Sequence, residues 1–342
     1  MSKLEKLTVE GYKSIRKLET FELRPLNVLI GANGSGKSNF ISLFHFFGEF
    51  EKGRLLIYVA QNGGADSFLH LGPKTTRRIV IDLQFTYYRH RREFLRSVDN
   101  QLVFDKLQTA NLDLSKMAIA TTWDIYHFHD TSKTAGARGQ GEIHVNEILE
   151  DDASNLAAFL YRLQTTHPGI YLEIRNTIRL AAPFFDDFHL RPIPGAEDRI
   201  QLEWRQTDSD YPFRAHQLSD GTLRFICLAT ALLQPDPPSL MLFDEPELGL
   251  HPYALTLLAS LFQQASTKRQ VIVSTQSAPL ISEFTPEDIV VVQRAQEQSI
   301  FQRLKSEDLS EWLNDYSLGD LWQKNIIGGR PHREDTPSLL AD

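Results

Sequence analysis

The sequence predicts an α/β fold: a mixed, mainly parallel sheet with helices on both faces and a short helical insertion. Three observations predict it. "LRPLNVLIG", "GANGSGKS" and "NFISLFHFFGEF" read as strand, glycine-rich loop and apolar helix in direct succession. Downstream, "SLMLFDEPE", "YALTLLASLFQQAS" and "RQVIVSTQS" again alternate apolar strand with amphipathic helix. Strands that alternate with helices pair in parallel and are covered on both faces. Between these halves, residues 151–190 turn helical, which marks an arm or lid.

The elements follow in order. "LEKLTVEGYKSI" is short, β-rich and bounded by glycine, so it reads as a strand. "RRIVIDLQFTYY" and "TTWDIYHFHD" are further strands, and "DTSKTAGARGQGE" is a loop of Gly, Ser and Thr. "DDASNLAAFLYRLQ" opens on acids and a serine and then spaces apolar residues helically; "YLEIRNTIRLAAPFF" continues that pattern to Pro183. "RIQLEWRQ" is a strand, and "LRFICLATALL" is a helix ended by "QPDPP". "DIVVVQRA" and "SIFQRLK" read as a closing hairpin. "LSEWLNDYSLGDLWQKNIIGGRP" reads as one amphipathic helix with an unstructured end, its Trp312 and Trp322 packing the apolar face.

Composition narrows the class. The 342 residues are 42% hydrophobic and 23% charged, the profile of a globular protein. No apolar run approaches the roughly 18 residues of a membrane span, and no signal core opens the chain, so a cytoplasmic protein without a membrane partner is expected. The lone Cys227 excludes an internal disulfide and a cysteine-based zinc site. A net charge of −8 argues against coating nucleic acid by bulk charge. Arg77, Arg78, Arg89, Arg91, Arg92 and Arg96 cluster locally, either as a solvated face or as a phosphate-contacting one.

The chemistry lies in three stretches. Gly31 to Ser38 fits G-x-x-x-x-G-K-[ST] at every position, between a strand and a helix. The backbone amides of Asn33, Gly34, Ser35 and Gly36 would face phosphate oxygens, Lys37 would reach the β- and γ-phosphates, and Ser38 would ligate Mg²⁺. "LMLFDEPE" carries Asp244 and Glu245 out at the end of a hydrophobic strand, where open α/β sheets bind ligands. Asp244 suits the Mg²⁺ shell, and Glu245 suits the general base that polarises the attacking water. "HQLSDGT" runs straight into a helix, and a serine and a glycine at a helix N-terminus suit an anion.

Taken together, "GANGSGKSN", "LSDGT", "LMLFDEPELGLHP" and "VIVSTQSAPLI" resemble the motif order of ABC-type ATPases, and more narrowly their RecF/SMC/OLD branch, including stand-alone bacterial AAA-labelled ATPases. "LTVEGYKSI" resembles the opening strands of that branch; "WDIYHFHDTS", "NLAAFLYRL" and "LGDLWQKNIIGGRP" look like further segments of it. The resemblance implies an ATPase head formed by 1–150 and 191–305, an arm at 151–190 and a C-terminal helix and tail at 306–342. It implies ATP and Mg²⁺ as ligands and a homodimer arranged head to tail. In that arrangement Ser219 and Gly221 contact the γ-phosphate held by the partner's Lys37, and His251 lies in a segment touching the other protomer. It implies a chain without the Toprim nuclease domain that OLD proteins carry, acting on DNA or through a separately encoded nuclease or toxin.

Two departures stand out. Asp220 and Thr222 replace residues of the usual LSGGQ, and Asp220 is expected to turn away as a helix N-cap. Gln276 stands where the family usually has a histidine; it can bond a γ-phosphate oxygen but carries no charge. The glutamine that normally leads to the arm is left open between Gln61 and Gln84. His127, His129 and Asp130 alternate as on a strand, which would set both imidazoles on one side, as a metal site or as polar contacts.

Overall fold

The computed structural model describes residues 3–97, 99–104 and 123–329. The chain forms β1 (Leu4–Tyr12), β2 (Ile15–Glu22), β3 (Leu26–Ile30), α1 (Lys37–Glu51), α2 (Leu55–Gln61), β4 (Arg78–Phe85), β5 (Arg89–Arg96), β6 (Leu102–Phe104) and β7 (Trp123–Tyr126). Then come β8 (Gln140–Glu142), α3 (Leu156–Thr166), α4 (Pro168–Ala181), β9 (Phe185–Phe188), β10 (Pro192–Ile193), β11 (Ala196–Gln201), β12 (Glu203–Gln206) and β13 (Pro212–Arg214). The last third is α5 (Asp220–Leu233), β14 (Leu240–Asp244), α6 (Pro252–Ser266), β15 (Gln270–Thr275), α7 (Ala278–Ile281), β16 (Ile289–Ala295), β17 (Gln298–Arg303), α8 (Ser306–Leu309) and α9 (Leu318–Gln323). These fall into two compact units, 1–125 with 270–342, and 126–269.

In the first unit β3 pairs in parallel with both β15 and β16, and β17 closes antiparallel on β16. β3 and β15 are buried at every position, as a strand covered on both faces requires. A five-stranded antiparallel sheet runs β2-β1-β4-β5-β6. The structure is therefore richer in antiparallel pairing than the alternation of elements foretold. α1 fills the core with Phe40, Phe44, Phe46 and Phe47, each at most 2% exposed, and Phe46 meets Tyr12 and Phe94 edge-on.

In the second unit α4 packs on α5 and α5 on α6, beside two small three-stranded sheets, β10-β11-β8 and β13-β12-β9. Tyr126, buried at the end of β7, stacks on Phe243 of β14 at 5.1 Å and accepts a hydrogen bond from Gln234. α4 carries its buried residues Tyr171, Ile174 and Ile178 on one stripe, the helical spacing read in 168–181.

Two local readings are corrected. The C-terminal amphipathic helix is broken: after α8 and a short turn at Trp312–Asn314, Ser317 and Asp320 form a capping box that starts α9 afresh. The expected unstructured end lies outside the described residues. β7 stops at Tyr126, so His127 and His129 do not share a strand; the His127 amide bonds Asp151 and Arg224 takes the carbonyls of Phe128 and His129, which draws them out of any ladder. Their rings lie 6.3 Å apart, and among the described residues no three His, Cys, Asp or Glu side chains come together as a metal site.

Candidate functional site

The glycine-rich loop 31–38 belongs to the first unit. Gly31 and Gly36 have φ of 155° and 113°, and a Cβ on either would collide with the Val292 carbonyl or the Ser299 hydroxyl. The loop can therefore lie flat on the β16–β17 hairpin only with glycine there. Ser299 Oγ donates to the Ser35 carbonyl at 2.6 Å and lies 2.7 Å from Ser14 Oγ, which accepts from Asn39 Nδ2 at 2.8 Å. Asn33, Gly34 and Ser38 are exposed. Lys37 is buried, its ammonium donating to the carbonyls of Gly31 at 2.7 Å and Ala32 at 3.1 Å. Ser35 Oγ is buried inside the loop and has no hydrogen-bond partner among the described residues. A ring of glycine-shaped backbone, a cation folded onto it and an orphaned hydroxyl fit a polyphosphate.

Beside the loop's helix lies a cavity of about 460 Å³, lined among others by Lys13, Ser14, Asn39, His70 and Arg294. Lys13 sits at φ 45° with its ammonium 3.1 Å from Ser42 Oγ, and burial lowers its pKa. His70 Nδ1 lies 2.8 Å from the Lys13 carbonyl. The motifs did not reveal this cavity, since its residues come from four separate segments.

Gln276 follows β15 in the same unit and is half-buried; the next residue, Ser277, caps α7 by accepting the Leu280 amide. Gln61 ends α2 and Gln84 lies on β4, both exposed.

Asp244 and Glu245 belong to the second unit, at the end of β14, whose four preceding residues are buried. Glu245 adopts φ 42°, a left-handed conformation costly for a residue with a Cβ and concentrated at functional sites. The turn after it ends at His251, whose ring caps α6 by accepting the Tyr253 amide at 3.3 Å.

The expected cap at Asp220 is also corrected. Ser219 is the N-cap of α5: its Oγ accepts the Thr222 amide at 3.1 Å, while Asp220 pairs with Arg138 at 2.7 Å. Gly221 abuts the Gly249 carbonyl so closely that a Cβ would collide with it. Ser219, Gly221, Thr222, Phe225 and His251 line a groove of about 110 Å³.

Two arginines that no motif revealed hold this region. Arg138, its side chain 4% exposed, donates to the carbonyls of Thr131, Ala215 and Leu218 as well as to Asp220. Arg224 is 7% exposed and donates to the carbonyls of Phe128, His129 and Leu248. Burial lowers its pKa, against the attraction of Asp220 and Glu247. The basic cluster is largely spoken for: Arg89 pairs with Asp82, Arg96 with Asp66 and Arg78 with Glu93, while Arg92 is buried against the Phe50 ring. Arg77 and Arg91 remain exposed.

A sequence family described as "AAA domain, putative AbiEii toxin, Type IV TA system" matches residues 26–283. No curated protein matches the sequence. Among solved structures the chain is similar to an Smc head bound to the C-terminal winged-helix domain of ScpA, at 17% identity and a TM-score of 0.66, over 90% of this chain and 99% of that one. It is also similar to the Smc head with an extended coiled coil bound to the C-terminal domain of ScpA from Pyrococcus furiosus, at 16% and 0.61, over 92% and 99%. A third is the Smc head with coiled coil and joint from Pyrococcus yayanosii, at 13% and 0.60, over 92% and 99%. The fold is that of an ABC-type ATPase head, as the motif order implied.

Proposed function

The chain belongs to the AAA_21 family of AAA domains, and on that premise we propose that it is an ATP-hydrolysing switch that closes into a head-to-tail dimer around two ATP–Mg²⁺. The observation that carries the reading is the phosphate loop itself: glycine backbone pressed on a hairpin, with Lys37 and the partnerless Ser35 hydroxyl turned into it. In this reading Lys37 leaves the Gly31 and Ala32 carbonyls for the β- and γ-phosphates, and the amides of Asn33 to Gly36 hold the remaining oxygens. The cavity lined by Lys13, Asn39 and His70 takes the nucleoside. Ser38 and Asp244 hold Mg²⁺, which neutralises phosphate charge. Glu245 accepts a proton from the attacking water, and its strained backbone fixes the carboxylate's aim. Gln276 bonds the γ-phosphate. Ser219 and Gly221 serve the partner's nucleotide, a role supported by the exposed cap at the start of α5.

The output of the switch is a DNA transaction or a separately encoded nuclease or toxin, in genome maintenance or anti-phage defence in the cytoplasm, with residues 151–190 as the arm. Exposed Arg77 and Arg91 support a DNA contact; among the described residues no helix is long and apolar enough to cross a membrane. Phosphate release from ATP–Mg²⁺, with and without duplex DNA, tests the enzyme reading against Lys37→Ala. Release above that variant supports it. ATP binding with no release under either condition favours the second reading, a scaffold held together by ATP, which the uncharged Gln276 supports.

A further inference from the structure

The C-terminal stretch "SLGDLWQKNIIGG" has no part in the ATPase motifs, yet the structure ties it to two of them. The carbonyl of its last glycine, Gly329, accepts the amide of Ala32, inside the glycine-rich loop, at 2.7 Å. Gly329 is buried with φ 83°, and a Cβ there would lie 3.2 Å from Val291, 3.3 Å from the Trp322 indole nitrogen and 3.4 Å from the Cα of Gly31. At the other end, Gly319 lies so close to the Ala278 carbonyl that a Cβ would collide with it. Its amide donates to Ser282 Oγ at 3.2 Å, and Ser282 Oγ in turn lies 3.1 Å from Ser317 Oγ. Ala278 opens α7, two residues after Gln276. Leu321, fully buried, and Ile327, 4% exposed, anchor the stretch between these contacts. All of these groups lie in the first unit.

We propose that residues 317–329 clamp the phosphate loop to the Gln276 loop, with Gly319 and Gly329 as positioning residues for the nucleotide. This rests on the ATP reading above for its consequence, though not for its geometry. The loop amides must point inward to hold phosphate, and the Gly329 carbonyl fixes the Ala32 peptide that leads into them. At the far end, seating α9 on the Ala278 carbonyl fixes the direction in which the chain leaves Gln276. Nucleotide that moves either loop must therefore move the clamp, and a displaced clamp slackens both loops.

The test uses the full chain with Gly329→Val and, as a milder break at the other end, Ser317→Ala. Two readouts are taken: hydrogen exchange of peptides covering Ala32 and residues 276–282 without nucleotide, and affinity for a fluorescent ATP analogue with Mg²⁺. Gly329→Val should speed exchange at Ala32 and weaken the nucleotide roughly two- to tenfold, the range for one lost hydrogen bond. Ser317→Ala should speed exchange at 276–282, with a smaller loss of affinity. A protein that merely loses packing would melt earlier yet keep wild-type affinity and Ala32 exchange, and that result overturns the clamp. If wild type binds no nucleotide while the exchange changes appear, the ATP reading fails and the clamp stands as structure. If wild type binds and the variants match it in both readouts, the clamp fails and the ATP reading stands.

Discussion

In the first unit the glycine-rich loop 31–38 is shaped by main chain: glycines pressed against the β16–β17 hairpin, a serine relay, and a lysine folded onto its own loop. In the second unit the Ser219 turn and the turn after Glu245 are held by side chains from afar. Arg138 reaches across 77 residues to the carbonyl of Ala215, and Arg224, 24 residues from Leu248 in the second turn, ties it to Phe128 and His129, 96 and 95 residues away. The first arrangement is written locally and exists wherever the motif meets a strand and a helix. The second depends on two desolvated guanidinium groups, each bonding several peptide oxygens that burial would otherwise leave unsatisfied. The first unit's site should thus fail by loss of ligand, and the second unit's by loss of structure.

The strongest test of that contrast is Lys37→Ala. Its ammonium donates to the Gly31 and Ala32 carbonyls of its own loop, so folding should survive while ATP affinity drops roughly a thousandfold, about 4 kcal/mol. Titration calorimetry alongside a melting curve checks both halves. Arg224→Met is the converse. The carbonyls of Phe128, His129 and Leu248 lose their donor, and denaturant unfolding should show a loss of about 3 kcal/mol, with exchange rising around residues 128–129 and 248. An Arg224→Met protein as stable as wild type would erase the distinction.

Acid sharpens the comparison. His90, 3% exposed in the first unit, is pushed down to about 4 by burial and by neighbouring Arg92. Its unfolded form takes a proton below about pH 6.5 that the folded form refuses, so stability falls from there to about pH 4 and levels below. The full difference approaches about 3 kcal/mol, and His90→Phe should remove it from the pH profile. In the second unit His127 is exposed; partial desolvation and His129 lower it, but Asp151 and Asp244 pull the other way. Hydrogen exchange between pH 6.5 and 4.5 should therefore rise first around β5. The smallest effect is Ser219→Ala, which removes the cap of α5 for about 1 kcal/mol.

The glycine-rich loop between β3 and α1, the acids at the end of β14 and the alternation of strands and helices were legible in the sequence because each is encoded over a few neighbouring residues. Asp220 misled because a carboxylate at a helix start usually caps it; here Ser219 occupies that place and Arg138, distant in sequence, takes the acid. His127 and His129 misled because strand periodicity cannot see an arginine that pulls carbonyls out of the ladder. The C-terminal helix was overextended because the Ser317–Asp320 box restarts it within a continuous amphipathic pattern. The cavity beside Asn39 had no signal at all, as its walls meet only in three dimensions.

One measurement bears most directly on the claim that two chains complete each nucleotide pocket. Sedimentation of Glu245→Gln with ATP and Mg²⁺ should give twice the mass of the nucleotide-free protein, and adding Ser219→Arg should return the monomer mass without abolishing ATP binding. A Glu245→Gln protein that binds ATP and sediments as a monomer, or a doubled mass indifferent to Ser219→Arg, would contradict the account.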